Sequence, residues 1–496
     1  MTGIMEGRTS RVALLAALVA AAGWHGATAQ AQPEPCDTRP TGIATRDYFI
    51  DFRTGGMPDK RFDNRDARLR VHAVEPVYAN GKCRGMQTLA AVLVHGRSNP
   101  GSSTFDLRHP TGADPSGEAL SQQAALARAG IHSFAPDLIG YGRSTRFADG
   151  LDEPCNASLP TDKTRNANVF PLNQQGRYLG DGLTPTADGL GVNPLGGALC
   201  NHVSSTYLAN PDVFASNIML VIDDVIARVQ PRGNKVVLVG NSFGGPSVAR
   251  ALYRLGEAAG RKIQRVVFLS ALFNRFGGVP VDTNLPTEEA DLPAVERSTS
   301  FPLTVARLGG WTGVTSSARD GFCTGRVVDG APAALRTHLL GLDPIGASWG
   351  GSDPDRPTGL LRSPTFSLYG WNRPVAATFT IPTLILHGAD DTVAPVSNSE
   401  AMFDALTSVE ERVLVQVQCG SHMVQQEGCS LARCDDRDPA TTPYGSDTAM
   451  WKGPSSTISA ALVEWVRHGT FDGSACGRFD VDASGIARPV PTSACD

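Results

Sequence analysis

Apolar positions along this chain follow two periods that alternate over most of its length. Short apolar or alternating runs at Asp47 to Arg53, Ala67 to Val77, Leu89 to Val94, Ile131 to Pro136, Val236 to Val239, Ile263 to Leu269, Ile381 to Leu386 and Arg412 to Val417 predict strands. Between them, helical spacing appears at Gly117 to Arg128, at Val213 to Val229, at Pro246 to Gly256, at Val396 to Leu406 and at Ser456 to His468. Strands that alternate with helices predict parallel pairing, right-handed crossovers and a doubly wound, mostly parallel α/β sheet with helices on both faces. In such a sheet, the reacting groups gather at the carboxyl ends of the strands.

Two stretches break the alternation. From about 145 to 210 the chain turns to Asn, Gly, Pro and Asp, with Cys155 and Cys200 inside it, and reads as an ordered insertion. From about 271 to 379 it carries Trp311, Trp349 and Trp371, with short helical patches such as Ala333 to Leu340. An uncovered loop of that length is improbable in a compact domain, so this region is expected to be a cap or lid. Its tryptophans either pack the cap or line a pocket.

The start of the chain points to export. Arg8 and Arg11, the apolar run Val12 to Ala22 and the small residues Ala27-Thr28-Ala29 predict a cleaved secretory signal over residues 1–29, with Ala29-Gln30-Ala31 as a second cleavage pattern. Secreted or periplasmic localisation follows, and no stable membrane insertion is expected because the apolar run is too short to span a bilayer. Residues 30–496 are read as one elaborated domain ending in a cysteine-containing tail, 470–496. In an oxidising compartment the ten cysteines predict disulfides, with Cys429–Cys434 and Cys476–Cys495 as first pairings by proximity in sequence. A composition 41% hydrophobic supports a large core, and a formal net charge of -5 offers no basic field for nucleic acid. No spacing of Cys and His suggests zinc, and Asp480 to Gly485 starts like a calcium loop without its acidic twelfth ligand, so neither metal nor cofactor is expected.

The candidate chemistry sits in Lys235 to Gly245, K-V-V-L-V-G-N-S-F-G-G. Gly240, Ser242 and Gly244 match the G-x-S-x-G elbow, which holds a serine in a strained strand-to-helix turn and exposes its hydroxyl. The following helix puts Val248, Ala251, Leu252 and Leu255 on one face, as an elbow requires. Ser242 then lies at the positive end of that helix, with the amide of Phe243 pointing into the site. A serine hydroxyl becomes a useful nucleophile when a histidine takes its proton and an acid orients the histidine. After later strands come His387-Gly388-Ala389-Asp390-Asp391 and Cys419-Gly420-Ser421-His422, so Asp390 or Asp391 supplies the acid and His422 the base. The order serine, acid, histidine is the one known for elbow-bearing sheets.

Four stretches, G-N-S-F-G, H-G-A-D-D-T-V-A-P, G-S-H-M-V-Q-Q-E and D-L-I-G-Y-G-R-S, resemble those of α/β-hydrolase fold enzymes, and the resemblance covers most of Asp47 to His468 outside the two insertions. It implies Asp391 as the acid, with Asp390 left as a turn or surface carboxylate. It implies an oxyanion hole made by the backbone N–H groups of Phe243 and Arg97; the Arg97 guanidinium could also meet an anionic group of the substrate, and a solvent-exposed side chain is the expectation. His95, Asp137 and Ser144 are expected to bond their own loops. The implied activity is that of an exported serine hydrolase working through an acyl-enzyme, with a small-molecule or polymer-derived carboxylic ester as the expected substrate. Alternatives are an exported aminopeptidase using Glu288-Glu289 or Asp353 with Asp355 to hold an amino terminus, and a carbon-carbon hydrolase of β-diketones. A catalytically silent binding protein is the alternative of a different class, and it would be expected to have lost part of the triad.

Overall fold

Strands rich in Val, Leu and Ile form where both faces of the chain can be covered. A computed structural model of the protein describes residues 40–79, 88–97, 99–110, 114–152, 208–274, 285–292, 303–304, 327–344, 347, 361–362, 364, 368–428, 453–482, 485–492 and 495. The expected signal segment, most of the first insertion, Cys429, Cys434, Trp311, Trp349, Asp353 and Asp355 lie outside the described residues.

The strands are β1 (Gly42–Arg53), β2 (Asp66–Val77), β3 (Leu89–Val94), β4 (Ile131–Pro136), β5 (Val236–Asn241), β6 (Ile263–Leu269), β7 (Thr383–Gly388), β8 (Arg412–Val417), β9 (Gly477–Val481) and β10 (Ala487–Val490). They make one sheet in the order β1-β2-β4-β3-β5-β6-β7-β8-β9-β10. From β4 to β9 every pairing is parallel, whereas β2 runs antiparallel to both β1 and β4, and β10 runs antiparallel to β9. The expected α/β sheet is therefore present, mostly parallel and open.

Seven helices matter for the site: α1 (Gly101–Phe105), α2 (Gln122–Arg128), α3 (Pro211–Val229), α4 (Gly244–Leu255), α5 (Ala331–Leu342), α6 (Val396–Ala405) and α7 (Pro454–His468). Alternate residues of each central strand divide between two cores, which is why these strands are mostly apolar. On one face Val92, Leu238, Val266 and Ile385 pack with Ile218, Val221, Val248, Leu252 and Met402 of α3, α4 and α6. On the other, Leu93, Val237, Val267 and Leu386 pack with Phe105, Leu126, Leu462 and Trp465 of α1, α2 and α7.

The differences from expectation have local causes. The helix expected from Gly117 starts only at Gln122, because Ser121 caps it by accepting from the Ala124 N–H at 2.9 Å. Just before it, the Asp114 carboxylate accepts the Ala119 N–H at 2.7 Å and makes a turn instead. Strands β9 and β10 were not expected. Of the D-x-D-x-S-G stretch, Asp480 and Val481 end β9, and at the hairpin turn the Asp482 carboxylate accepts the Ile486 N–H at 3.0 Å with Gly485 at φ +79°. The tail is stapled by the expected disulfide between Cys476 and Cys495. Part of what reads as cap belongs to the core: Ala271, Phe273, Leu368, Trp371 and Phe379 are buried with α4 and α6. Trp371 is 1% exposed, against Phe268, Phe273 and Phe379 at ring-centre distances of 5.2, 5.2 and 4.9 Å, so it packs the core. Trp371→Ala is expected to cost about 3–5 kcal/mol of stability, read from urea denaturation; a cost within 1 kcal/mol would contradict this packing.

Candidate active site

The site is built where β5 ends. Ser242 has φ +51°, a left-handed conformation costly for a residue with a Cβ. Its neighbours leave the chain no other path. A Cβ on Gly240 would lie 2.7 Å from the Gly244 carbonyl oxygen, and one on Gly244 would lie 2.5 Å from the carbonyl oxygens of both Val94 and His95. The elbow is thus wedged against the end of β3. From the other side, the Ser242 N–H donates to the Leu269 carbonyl at 2.9 Å, and the Ser242 carbonyl accepts the Leu272 N–H at 3.2 Å. The turn is over-determined from two strands, which is how such strain persists.

Asp391, the expected acid, lies in the loop after β7. Asp391 Oδ1 accepts the N–H groups of Val393 and Ala394, both at 2.8 Å, which leaves Oδ2 for His422 Nδ1, also at 2.8 Å. Because Nδ1–H donates to Asp391, His422 Nε2 is the acceptor and lies 2.7 Å from the Ser242 Oγ. The Asp391 side chain is fully buried. Asp390 does not share in this chain; its N–H donates to the Gly420 carbonyl at 2.8 Å. His387 Nε2–H donates to the Ala394 carbonyl at 2.7 Å, and burial pushes its pKa down, so it braces the acid loop as a neutral ring.

The histidine loop crosses the acid loop at two glycines. A Cβ on Gly388 would lie 2.4 Å from the carbonyl oxygens of Gly420 and Ser421, so only glycine lets the loops pass. The loop is also tied by residues to which the sequence reading gave no role. The buried Glu427 accepts the Ser421 N–H at 2.6 Å and the Ser421 Oγ–H at 2.5 Å. Gln426 Nε2 donates to the Ser103 carbonyl on α1, and the Gln425 carbonyl accepts Gln122 Nε2 of α2, both at 2.5 Å. The signal was visible as the polar run Q-Q-E directly after the histidine. Cys419 is disulfide-bonded.

The two expected oxyanion donors flank the serine in different ways. Phe243 follows it at the start of α4, and Arg97 follows Gly96, where a Cβ would lie 2.9 Å from the Ser242 Cβ. His95 shapes this loop: Nδ1–H donates to the Gly96 carbonyl at 2.7 Å while Nε2 accepts the Leu138 N–H at 3.1 Å. Burial pushes the His95 pKa down, in keeping with a neutral strut. The Arg97 side chain departs from expectation. Its Nε and Nη2 are buried rather than solvated, and among the described residues neither has a hydrogen-bond partner. Above the loops, α5 packs Leu335 and Leu339 with Met423, Leu107 and Leu120, and His338 Nε2 lies 3.0 Å from the Ser102 Oγ.

The D-L-I-G-Y-G-R-S turn bonds locally as expected. Asp137 accepts from the Gly101 N–H, the Arg143 N–H and Arg70 Nη1 at 2.9, 3.1 and 3.1 Å, and the Ser144 Oγ–H donates to the Asp137 carbonyl at 2.5 Å. Glu288 and Glu289, weighed as an amino-terminus clamp, are engaged elsewhere. Glu288 pairs with Arg250 at 2.6 Å and Glu289 accepts from Asn210 Nδ2 at 3.0 Å. Among the described residues no group of three or more His, Cys, Asp or Glu could hold a metal ion, and no helix is long and apolar enough to cross a membrane.

The chain matches the model of the alpha/beta hydrolase family over residues 91–430, more than half of its length. No curated protein matches it. Among solved structures it is similar to a bromoperoxidase from Bacillus anthracis, at 18% identity over 75% of this chain and 94% of that one, with a TM-score of 0.34. It is also similar to a meta-cleavage product hydrolase from Pseudomonas fluorescens IP01, at 16% identity over 72% and 89% of the two chains with a TM-score of 0.36. A thermophilic esterase from Thermogutta terrifontis is similar at 13% identity over 77% and 93%, with a TM-score of 0.38.

Beside the site, His72 is bonded between Asp47 and Asp106, at 2.7 and 2.8 Å. Burial pushes the Asp47 carboxyl up, but the bonds from His72 and Arg70 outweigh it and bring its pKa down from 3.8 to about 2. A depressed carboxylate stabilises the fold above its unfolded pKa and loses that contribution as pH falls through its folded value. The melting temperature is therefore expected to drop as pH falls from about 4 to about 2. Asp47→Asn should melt below the wild type at pH 6 and close to it at pH 2; an equal gap at both values would contradict the assignment.

Proposed function

The chain belongs to the alpha/beta hydrolase family, and from the bonded arrangement at Ser242 we propose that it is an exported serine hydrolase cleaving a carboxylic ester. One observation carries this reading: Asp391 Oδ2, His422 and the Ser242 Oγ stand in one hydrogen-bonded line, at 2.8 and 2.7 Å. In the proposed reaction His422 Nε2 takes the Ser242 proton as Oγ attacks the carbonyl carbon. The N–H groups of Phe243 and Arg97 receive the oxyanion, which strengthens their bonds as charge develops. Asp391 steadies the imidazolium that forms without itself taking the proton. Collapse expels the alcohol, which leaves with the proton held by His422, and an acyl-enzyme remains on Ser242. Water, deprotonated by the same Nε2, then releases the acid and restores the serine.

An alcohol leaves with the least additional machinery, which favours esters over amides. An aminopeptidase would hold its substrate's amino terminus with carboxylates, and Glu288 is taken by Arg250. A carbon-carbon hydrolase would use the same three residues, so substrate trials must separate it. All three residues are present and bonded, which argues against a silent binding protein.

Ethyl and p-nitrophenyl esters are expected to be hydrolysed by the purified protein, with Ser242→Ala inactive. Asp391→Asn should lower kcat by roughly 10³–10⁴ while Asp390→Asn stays within about threefold of wild type. Equal losses in the two aspartate variants would contradict the acid assignment, and turnover of β-diketones alone would replace the ester. The secreted protein should begin just after Ala29 or Ala31 by N-terminal sequencing; an intact Met1 would contradict export.

A further inference from the structure

Arg97 carries more than its backbone N–H. Its loop adjoins the serine, since a Cβ on Gly96 would lie 2.9 Å from the Ser242 Cβ. The residue as a whole is half-buried, but two of its guanidinium nitrogens, Nε and Nη2, are withdrawn from water and have no hydrogen-bond partner among the described residues. Burial pulls its pKa down, and the opposing influence comes from Tyr141, whose ring packs 4.4 Å from His95 and whose hydroxyl donates to the Pro364 carbonyl at 3.3 Å. No carboxylate among the described residues forms an ion pair with it.

Two fully buried arginines of this protein are each met by carboxylates. Arg70 meets Asp47 and Asp137 at 2.8 and 3.1 Å, and Arg250 meets Asp212 and Glu288 at 2.8 and 2.6 Å. A buried cation without a partner is costly, and such a group persists where something binds it. The two unpartnered atoms, Nε and Nη2, form one edge of the guanidinium, the edge whose parallel N–H bonds match both oxygens of a carboxylate. A loop that touches the nucleophile and offers that edge is placed to read the substrate rather than to hold the fold.

We propose that Arg97 is the specificity residue of the site, and that the substrate is an ester bearing a carboxylate which its Nε–Nη2 edge binds, such as the half-ester of a dicarboxylic acid. This rests on the ester-hydrolase reading of Ser242. The carboxylate stays intact through the reaction, while the ester bond elsewhere in the same molecule is cleaved at Ser242. A lysine offers a point charge without the planar edge, so it substitutes only in part.

The test compares matched pairs: monoethyl adipate against ethyl hexanoate, and monoethyl succinate against ethyl butyrate. Each pair differs in carboxylate versus methyl at the far end. The wild type should favour the anionic member of at least one pair in kcat/KM by about tenfold or more, and Arg97→Gln should lower that ratio by about 10- to 100-fold, mostly through KM. Arg97→Lys should fall between. A purely structural role for Arg97 would lower both members together and leave the ratio unchanged, which would overturn the proposal, as would a wild type with no anionic preference. If no ester is hydrolysed, the ester reading fails by itself, and calorimetric titration of adipate into Ser242→Ala decides the anion site. Binding that is lost in Ser242→Ala/Arg97→Gln upholds it, and absence of binding to Ser242→Ala overturns it.

Discussion

The whole site depends on how closely the end of β5 lies against the end of β3. With the Gly244 Cα so near the Val94 and His95 carbonyls that a methyl group would stand 2.5 Å from each, the turn has no room for a side chain on either side of the serine. Ser242 is driven to φ +51° as a result. That conformation is unfavourable on its own and is held by hydrogen bonds from the end of β6. The same contact brings the loop of His95, Gly96 and Arg97 against the serine. One packing constraint thus positions both Ser242 and the groups facing it.

Asp391 and His422 depend on a second crossing, that of Gly388 under the Gly420 and Ser421 carbonyls. Here polar groups do the holding. Asp391 is fixed by two N–H groups before it meets His422, and the His422 loop is fixed by Glu427, Gln425 and Gln426 through bonds to α1, α2 and the loop itself. Buried polar groups of this kind are costly when left unmet, so each satisfied bond narrows the positions the histidine can adopt. Arg97 differs in carrying a charge, and two of its donors are buried without a partner among the described residues.

Much of this architecture was legible as periodicity. The central strands were visible because residues covered on both faces form apolar runs such as Val236 to Val239, and α3 because Ile218, Val221, Ile222 and Val225 recur on one side. The elbow was legible because its glycines answer a steric demand that no other residue meets. What escaped detection depended on long-range partners. The strand Gly477–Val481 pairs with Arg412–Val417, more than sixty residues earlier, and its acidic turn looked like the start of an ion-binding loop. Trp371 was read with the cap because its covering rings, from Phe268, Phe273 and Phe379, come together only in the fold. Arg97 was assigned to solvent because a charged residue usually lies there. Glu427 was visible as part of the polar run Q-Q-E, but its partners, the Ser421 N–H and Oγ–H, meet it only in the folded loop.

The central claim is that Ser242 is a nucleophile activated by His422. The most direct measurement is intact-protein mass spectrometry after treatment with a small alkyl fluorophosphonate, followed by peptide mapping. The account predicts one adduct on the Ser242 peptide, forming slowly or not at all in His422→Ala. An unlabelled wild type, or an adduct that forms as fast without His422, would contradict it.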